Sequence, residues 1–165
     1  GLLKARDLLV GGAPEEPILL HNADILTDLP LGMMLERHKL SGADVTLLCG
    51  DRHSSRRLYF AKDDDRLAGW ENVSSGEVNP KGFRPREDVS PSPFNGEHIV
   101  NPSVFTLLEE YAPEEIKPFS IVPFYLAMLS RIDIRRYMLP EGCRWFDVGS
   151  SEKLSAAERA FCGNQ

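Results

Sequence analysis

The sequence contains few cysteines, no long apolar run and no excess of basic residues. Its cysteines form no C-x-x-C pair, so neither a zinc knuckle nor a redox pair is predicted; they are Cys49, Cys143 and Cys162. Every apolar run ends well short of the roughly 20 residues that a membrane span needs, and no basic and apolar leader opens the chain. These absences predict a protein of the reducing cytoplasm with no membrane partner.

Acidic residues outnumber basic ones by 25 to 19, which gives a formal net charge of −6. This balance disfavours nonspecific binding along nucleic-acid phosphates, so no nucleic-acid partner is predicted. The chain has 165 residues, of which 42% are hydrophobic, and is long enough to bury one core. We therefore expect one domain, or most of a larger one.

Apolar patterns typical of strands alternate with patterns typical of helices. The nearly continuous apolar run at 17–21 predicts a strand buried on both faces. Asp28 is placed to cap a helix that ends at Ser41-Gly42. Further strands are predicted at 43–49, 94–100, 132–138 and 144–146, and further helices at 2–9, 102–110, 120–130 and 151–161. The alternation predicts an α/β fold with a mainly parallel sheet and helices on both faces.

The middle of the chain interrupts this alternation. Segments 57–61 and 66–70 flank an acidic stretch at 62–65, which predicts a β-hairpin with an acidic, solvated tip rather than a metal site. Segment 72–93 is polar and rich in Gly, Pro and Ser, and it is longer than the loops that usually connect two elements of secondary structure. We expect an exposed hairpin and loop excursion at about 57–93.

Two aspartates stand at the ends of predicted strands, Asp24 after 17–21 and Asp147 after 144–146. In open α/β sheets, ligands bind at the carboxyl ends of strands. Two carboxylates that converge there would suit Mg²⁺, which favours carboxylates together with substrate phosphates. Each aspartate alone is explained at least as well as a residue that caps a turn. Only the pair, if it converges, predicts a magnesium site.

Small and amide residues stand near the candidate site. Gly149 lets the backbone pass close to a ligand, before a helix whose N-terminus at Ser151 would face an anion. Asn95 and Gly96 lie at a predicted strand, where an amide suits sugar hydroxyls, although a simple turn explains them equally well. The histidines show no metal-ligand spacing and are interpreted as structural or surface residues: His21, His38, His53 and His98.

Three segments resemble the nucleotidyltransferases that make nucleotide-activated sugars. They are Asn22-Ala23-Asp24-Ile25, Phe94-Asn95-Gly96-Glu97-His98-Ile99 and Trp145-Phe146-Asp147-Val148-Gly149-Ser150-Ser151-Glu152-Lys153-Leu154. The family patterns N-x-D-I, F-x-G-I-H-V and W-x-D-V-G-x-x-E-x-L stand in the same order, and the last is the most specific. The resemblance covers nearly the whole chain and points to the mannose-1-phosphate guanylyltransferase and N-acetylmuramate-1-phosphate uridylyltransferase group.

This resemblance implies a Rossmann-like fold and an enzyme that joins a nucleoside triphosphate to a sugar-1-phosphate, giving a nucleotide-sugar and pyrophosphate. Its implied partners are these two substrates, and its implied cofactor is Mg²⁺. The resemblance implies that Asp24 and Asp147 are catalytic and hold the metal. The substrate-binding positions that it implies are Asn22, Asn95, Gly96 and Gly149.

The chain departs from the family in two places. The family begins with a strand and a loop, G-x-G-T-R-[LM]-x-P, that holds the triphosphate, and this loop is not found here. Since the first residues, 1–5, resemble a later family segment, 1–165 is interpreted as the C-terminal two thirds of the domain, without its N-terminal βα units. At 69–72 many relatives carry E-K-P, whose lysine contacts the sugar phosphate, so that contact is unassigned here.

The missing loop leads to three expectations. The polypeptide alone should have little transferase activity, because its chemistry depends on positioning the triphosphate. A sheet edge left open by a missing strand favours self-association, so a homo-oligomer is among the expected states. The alternative function is a non-catalytic module that binds a sugar phosphate or a protein partner.

Overall fold

A computed structural model describes residues 2–112 and 119–162, except for the side chain of Cys162. A 3-10 turn at Leu2–Ala5 precedes the α-helices α1 Arg6–Val10, α2 Leu31–Ser41, α3 Val104–Tyr111, α4 Ile121–Ala127 and α5 Ser151–Cys162. The strands are β1 Ile18–Leu20, β2 Ile25–Thr27, β3 Val45–Cys49, β4 Arg56–Ala61, β5 Leu67–Asn72, β6 Glu77–Asn79, β7 Val89–Ser92, β8 Phe94–Val100, β9 Ile134–Met138 and β10 Trp145–Asp147. Over the described residues, no helix has the length and apolar character needed to cross a membrane.

The central sheet has the order β1-β8-β3-β9 and is mixed. β3 and β9 pair in parallel, whereas β8 is antiparallel to both β1 and β3. The α/β class is therefore confirmed, but the expectation of a mainly parallel sheet is corrected, since one neighbouring pair in this sheet is parallel. The reason is the path of the chain. No crossover helix precedes β8, which follows directly from β7 and so enters beside the end of β3.

Helices cover both faces of this sheet, as predicted. Val45 and Leu47 of β3 belong to a core that includes side chains of α3 and α4. The next residue, Leu48, points to the opposite face and packs in a second cluster with Met34 of α2 and with Leu29. All five residues of β3 are buried. This central strand therefore has the near-continuous apolar sequence of a strand buried on both faces.

The predicted strand at 17–21 is an edge strand. β1 pairs with β8 alone within the described ranges, and Ile18 is 9% exposed. Leu19, which faces the other side of the sheet, is 40% exposed. The prediction that this segment is buried on both faces was therefore wrong. An apolar run does not reveal whether its strand lies at the centre or at the edge of the sheet.

The predicted hairpin is formed by β4 and β5. The expected loop excursion after it contains two further strands, so that residues 56–92 hold a four-stranded antiparallel sheet with the order β6-β5-β4-β7. This sheet is not an exposed appendage, because Leu58 and Phe60 are buried in the main core. At the acidic tip, Asp65 accepts a hydrogen bond from Arg136 Nε at 2.7 Å. The tip is therefore attached to β9 rather than solvated throughout.

Candidate functional site

Two short strands bring the candidate aspartates together. β2 and β10 pair antiparallel, with Ile25 opposite Asp147. One residue further on, the Val148 N–H donates to the Asp24 carbonyl at 2.7 Å. Asp28, which we expected to cap α2, instead accepts hydrogen bonds from the backbone N–H and Nε of Arg144. This carboxylate thus attaches the end of β2 to the start of β10.

The two carboxylates converge on Gly149. A Cβ added to Gly149 would lie 3.2 Å from Asp147 Oδ1 and 3.2 Å from Asp24 Oδ2. The two oxygens are therefore separated by at most twice that distance, although the residues are far apart in the sequence. Glycine leaves the space between them open. No group of three or more His, Cys, Asp or Glu side chains that could hold a metal is found at 2–112 or 119–162, so the pair stands without a third such ligand.

Asp147 is held in its ionised form. Lys153, in the first turns of α5, donates from Nζ to Asp147 Oδ2 at 2.7 Å, and the Gly149 N–H donates to Oδ1 at 3.0 Å. The hydrogen bond from Lys153 and then that from Gly149 hold the pKa of the Asp147 carboxyl below its usual range, with smaller help from the charges of Lys153 and Arg52. An anionic oxygen is therefore present at neutral pH, and Lys153 is its resident counter-ion.

Asn22 and Gly96 lie beside this pair, where tight packing selects glycine. Gly96 has a φ of +97°, and a Cβ there would lie 2.8 Å from Asn22 Nδ2. The side chain of Asn22 is therefore against the backbone of β8, two residues before Asp24. Of the substrate-binding positions implied by the resemblance, Asn22, Gly96 and Gly149 are thus grouped near the carboxylates.

Asn95 is buried, with 2% of its surface exposed. Its Oδ1 accepts a hydrogen bond from Arg52 Nε at 3.1 Å, and its backbone carbonyl accepts one from Trp145 Nε1 at 3.1 Å. The amide group also lies close to Gly50, where an added Cβ would be 2.6 Å from Asn95 Nδ2. The side-chain oxygen of Asn95 is therefore already bonded to Arg52. Its predicted contact with a sugar stays a prediction.

A cavity of about 470 Å³ lies between the antiparallel sheet and α4. This volume is within the range of small-molecule sites. Aromatic and aliphatic side chains and polar side chains both line it, and they include Trp70, Phe94, Asn72, Glu77, Arg52 and Arg56. The sequence did not reveal this cavity, because its walls come from β4, β5, β6, β8, α4 and the loop before β4.

Arg52 lines the cavity, and its charge also acts on Asp147. Its guanidinium carbon is 5.2 Å from the centroid of the Trp145 ring, and its Nη2 donates to the Phe94 carbonyl at 2.8 Å. The charge of Arg52 contributes to the low pKa of the Asp147 carboxyl. Sequence reasoning missed Arg52, since a lone arginine in a loop carries no motif.

Glu97 is a second functional candidate that sequence reasoning missed. Its side chain is fully buried, and Oε2 accepts a hydrogen bond from Trp145 Nε1 at 3.2 Å. Oε1 lies 3.7 Å from His21 Nε2. Burial raises the pKa of the Glu97 carboxyl. The available signal was a carboxylate within the predicted strand at 94–100, because such a residue is rarely buried without a partner.

Comparison with known proteins identifies the fold. The sequence matches no protein-family profile and no curated protein. Among solved structures, a Bacillus anthracis protein described as a glucose-1-phosphate thymidylyltransferase, in complex with sucrose, superimposes with a TM-score of 0.68 at 16% identity, over 99% of this chain and 60% of its own. A UDP-glucose pyrophosphorylase complexed with UDP-glucose gives a TM-score of 0.69 at 17% identity, over 99% and 61%.

This chain thus spans about three fifths of the length of each of these proteins. At such low identity, a structural likeness establishes the fold and not the activity. The chain has a mixed α/β fold like that of the sugar-1-phosphate nucleotidyltransferases.

Proposed function

We propose that this chain carries the sugar-phosphate and metal-binding part of a nucleotidyltransferase. The reaction joins a nucleoside triphosphate to a sugar-1-phosphate: a phosphate oxygen of the sugar-1-phosphate attacks the α-phosphorus, and pyrophosphate leaves. One observation carries the proposal, the convergence of the Asp24 and Asp147 carboxylates at Gly149. The proteins of similar fold have names that refer to this chemistry.

The donor set at Gly149 suits Mg²⁺. The ion prefers oxygen ligands and is often bound by one or two carboxylates, with substrate phosphates completing its coordination. Asp24 and Asp147 supply two such oxygens, and a Cβ on Gly149 would fill the space beside both. We propose that these two aspartates hold the ion. When bound, Mg²⁺ offsets negative charge on the phosphate oxygens.

The other residues of the site act by positioning. The rings of Trp70 and Phe94 offer apolar walls for a sugar, and Asn72 and Glu77 offer polar groups for its hydroxyls. The nucleophile is already an anion, so no general base is needed to generate it. The substrate-binding roles of Asn22, Asn95, Gly96 and Gly149 belong to this proposal.

Calorimetric titration of the chain with UDP-glucose, with and without Mg²⁺, tests the proposal. We expect binding that requires Mg²⁺, because the carboxylate pair repels a diphosphate unless a cation lies between them. Binding of equal strength in the presence of a chelator would contradict the metal site. The absence of binding to UDP-glucose and to other nucleotide-sugars would contradict the proposed function.

Pyrophosphate release from a nucleoside triphosphate and glucose-1-phosphate, measured on the natural gene product, separates the transferase from the non-catalytic module. Release that depends on Mg²⁺ supports the transferase. Binding of the sugar phosphate with no release in that protein would favour the non-catalytic module.

Gly149→Ala is expected to weaken Mg²⁺-dependent binding of UDP-glucose by about 10-fold or more. Substitutions of residues that surround metal ligands commonly cause losses of this size. The added methyl group would lie 3.2 Å from one oxygen of each aspartate, in the space that the ion needs. The backbone there lies outside the left-handed region, so alanine causes no conformational strain. Gly12→Ala is the matched control, because its Cβ meets nothing within 4 Å. Unchanged affinity in Gly149→Ala would place the ion elsewhere.

A further inference from the structure

The proposed function requires a cation that holds the phosphate of the sugar-1-phosphate. No lysine stands at 69–72, where many members of the resembling family carry one. Instead, two guanidinium groups line the cavity, those of Arg52 and Arg56. Arginine suits this task, because its planar group can donate two parallel hydrogen bonds to a phosphate.

Arg52 is the better placed of the two arginines. Its Nε and one N–H of Nη2 are used by Asn95 Oδ1 and the Phe94 carbonyl. Its Nη1 has no acceptor within the described part of the chain, so that both N–H groups there remain available to a ligand. Because the group donates on one edge and is free on another, it is oriented before a ligand arrives.

A half-buried aromatic ring, tied to buried polar groups, holds this orientation. The guanidinium lies over the ring of Trp145 at 5.2 Å, a distance that allows a cation–π interaction. Trp145 Nε1 in turn donates to the Asn95 carbonyl and to Glu97 Oε2, and Glu97 is fully buried. A cation fixed in this way loses less conformational entropy when it binds an anion.

We propose that Arg52 binds the phosphate group of a sugar phosphate in this cavity, and that Trp145 and Glu97 are positioning residues beneath it. The proposal rests on the proposed function and names its phosphate contact. With the phosphate on Arg52, the sugar occupies the cavity, and the remaining phosphate oxygens face the side of Asp147. The loop before β4 then supplies the cation that the E-K-P segment supplies in the resembling family.

The test measures binding of three probes to the ¹⁵N-labelled chain at low salt: α-D-glucose-1-phosphate, glucose and inorganic phosphate. We expect Arg52→Gln to weaken glucose-1-phosphate binding by about 10-fold or more, the loss typical of a charge-assisted hydrogen-bonded pair. Binding of glucose alone should change by less than about twofold. Arg52→Lys should be intermediate, because lysine keeps the charge but not the planar fork.

Arg37→Gln is the control for net charge. Arg37 is exposed on α2, on the face of the central sheet opposite α4. Urea unfolding of each variant establishes that it is folded, and Arg52→Lys provides a second variant of the same site. An equal loss of affinity in Arg37→Gln and Arg52→Gln would mean nonspecific attraction, and would overturn the proposal.

The three probes separate this proposal from the proposed function. If glucose-1-phosphate shifts the resonances of the cavity residues and Arg52→Gln binds it within about twofold of the wild type, the role of Arg52 is overturned and the sugar-phosphate site stands. If inorganic phosphate shifts the Arg52 side-chain resonance and glucose-1-phosphate binds no more tightly, the anion site stands and the sugar-phosphate function fails. If neither phosphate probe binds the wild type, both proposals fail.

Discussion

Asp147→Asn is expected to lower the Mg²⁺-dependent affinity of the chain for UDP-glucose by about 100-fold or more, because it removes one of the two charged ligands that we propose and keeps the shape of the side chain. The amide oxygen can still accept the hydrogen bond that the Gly149 N–H donates to Oδ1 at 3.0 Å. The ion pair with Lys153 is exposed, with 40% of the Asp147 side chain accessible, so its loss has little effect on folding. Calorimetric titration with and without Mg²⁺ measures the effect.

The matched control for this substitution is Asp63→Asn at the exposed hairpin tip. It also removes one negative charge, but at a residue that is not part of the carboxylate pair, and it should leave the Mg²⁺-dependent affinity unchanged. Urea unfolding should show both variants within about 0.5 kcal/mol of the wild type, as is usual for surface substitutions. Retention of full Mg²⁺ dependence in Asp147→Asn would remove Asp147 from the metal site. A large loss of stability with unchanged binding would instead assign it a structural role.

The second large expected effect is a dependence of the free energy of unfolding on pH that comes from His98. Its ring is buried between those of Phe94 and Tyr125, and neither ring nitrogen has a hydrogen-bond partner in the described structure. Burial lowers the pKa of His98 from 6.5 to about 4. Between these values the unfolded chain binds a proton that the folded chain does not bind. The free energy of unfolding therefore falls as the pH falls through this window, and the contribution of His98 at pH 4 is a loss of about 3 kcal/mol.

His98→Phe tests this expectation, because the new ring can pack in the same aromatic group and does not titrate. The difference between the free energies of unfolding at pH 7 and pH 4, measured with urea, should be smaller in the variant by about 3 kcal/mol. Aspartates with lowered pKa values destabilise both proteins at acid pH and cancel in this comparison. His53→Gln, at an exposed position, should leave the pH dependence unchanged. Equal slopes for the wild type and His98→Phe would mean that His98 binds its proton as readily in the folded chain as in the unfolded chain.

Local patterns predicted the elements that are buried or capped by their own residues. The apolar run at 43–49 predicted β3, which is buried throughout. The helix expected before Gly42 ends there, since glycine accepts the φ of +66° that closes it. The helix expected from Ser151 begins at that residue, and Ser150 caps it, since its Oγ accepts a hydrogen bond from the Lys153 N–H at 3.3 Å. In these cases the periodicity and the terminal residue determine the structure without a distant partner.

Strand direction and strand position were decided by distant contacts. β8 has a mixed polar and apolar sequence that fits either direction, and it is antiparallel because the chain reaches it from β7. β2 has three residues, too few for a visible period, and it exists because β10 pairs with it from the other end of the chain. The polar segment 72–93 contains two strands because β4 and β5 offer edges to pair with.

The candidate site divides in the same way. The sequence by itself determined which chemistry is available, because Asp24 and Asp147 stand at the ends of predicted strands, Gly149 follows Asp147, and Asn95 lies at another predicted strand. The resemblance implied that the two carboxylates share a metal, but only the tertiary structure showed how they meet, since β2 pairs with β10 from a distant part of the chain. Only the tertiary structure placed Arg52 over Trp145. Residue type is a local property, whereas distance between side chains depends on the whole path of the chain.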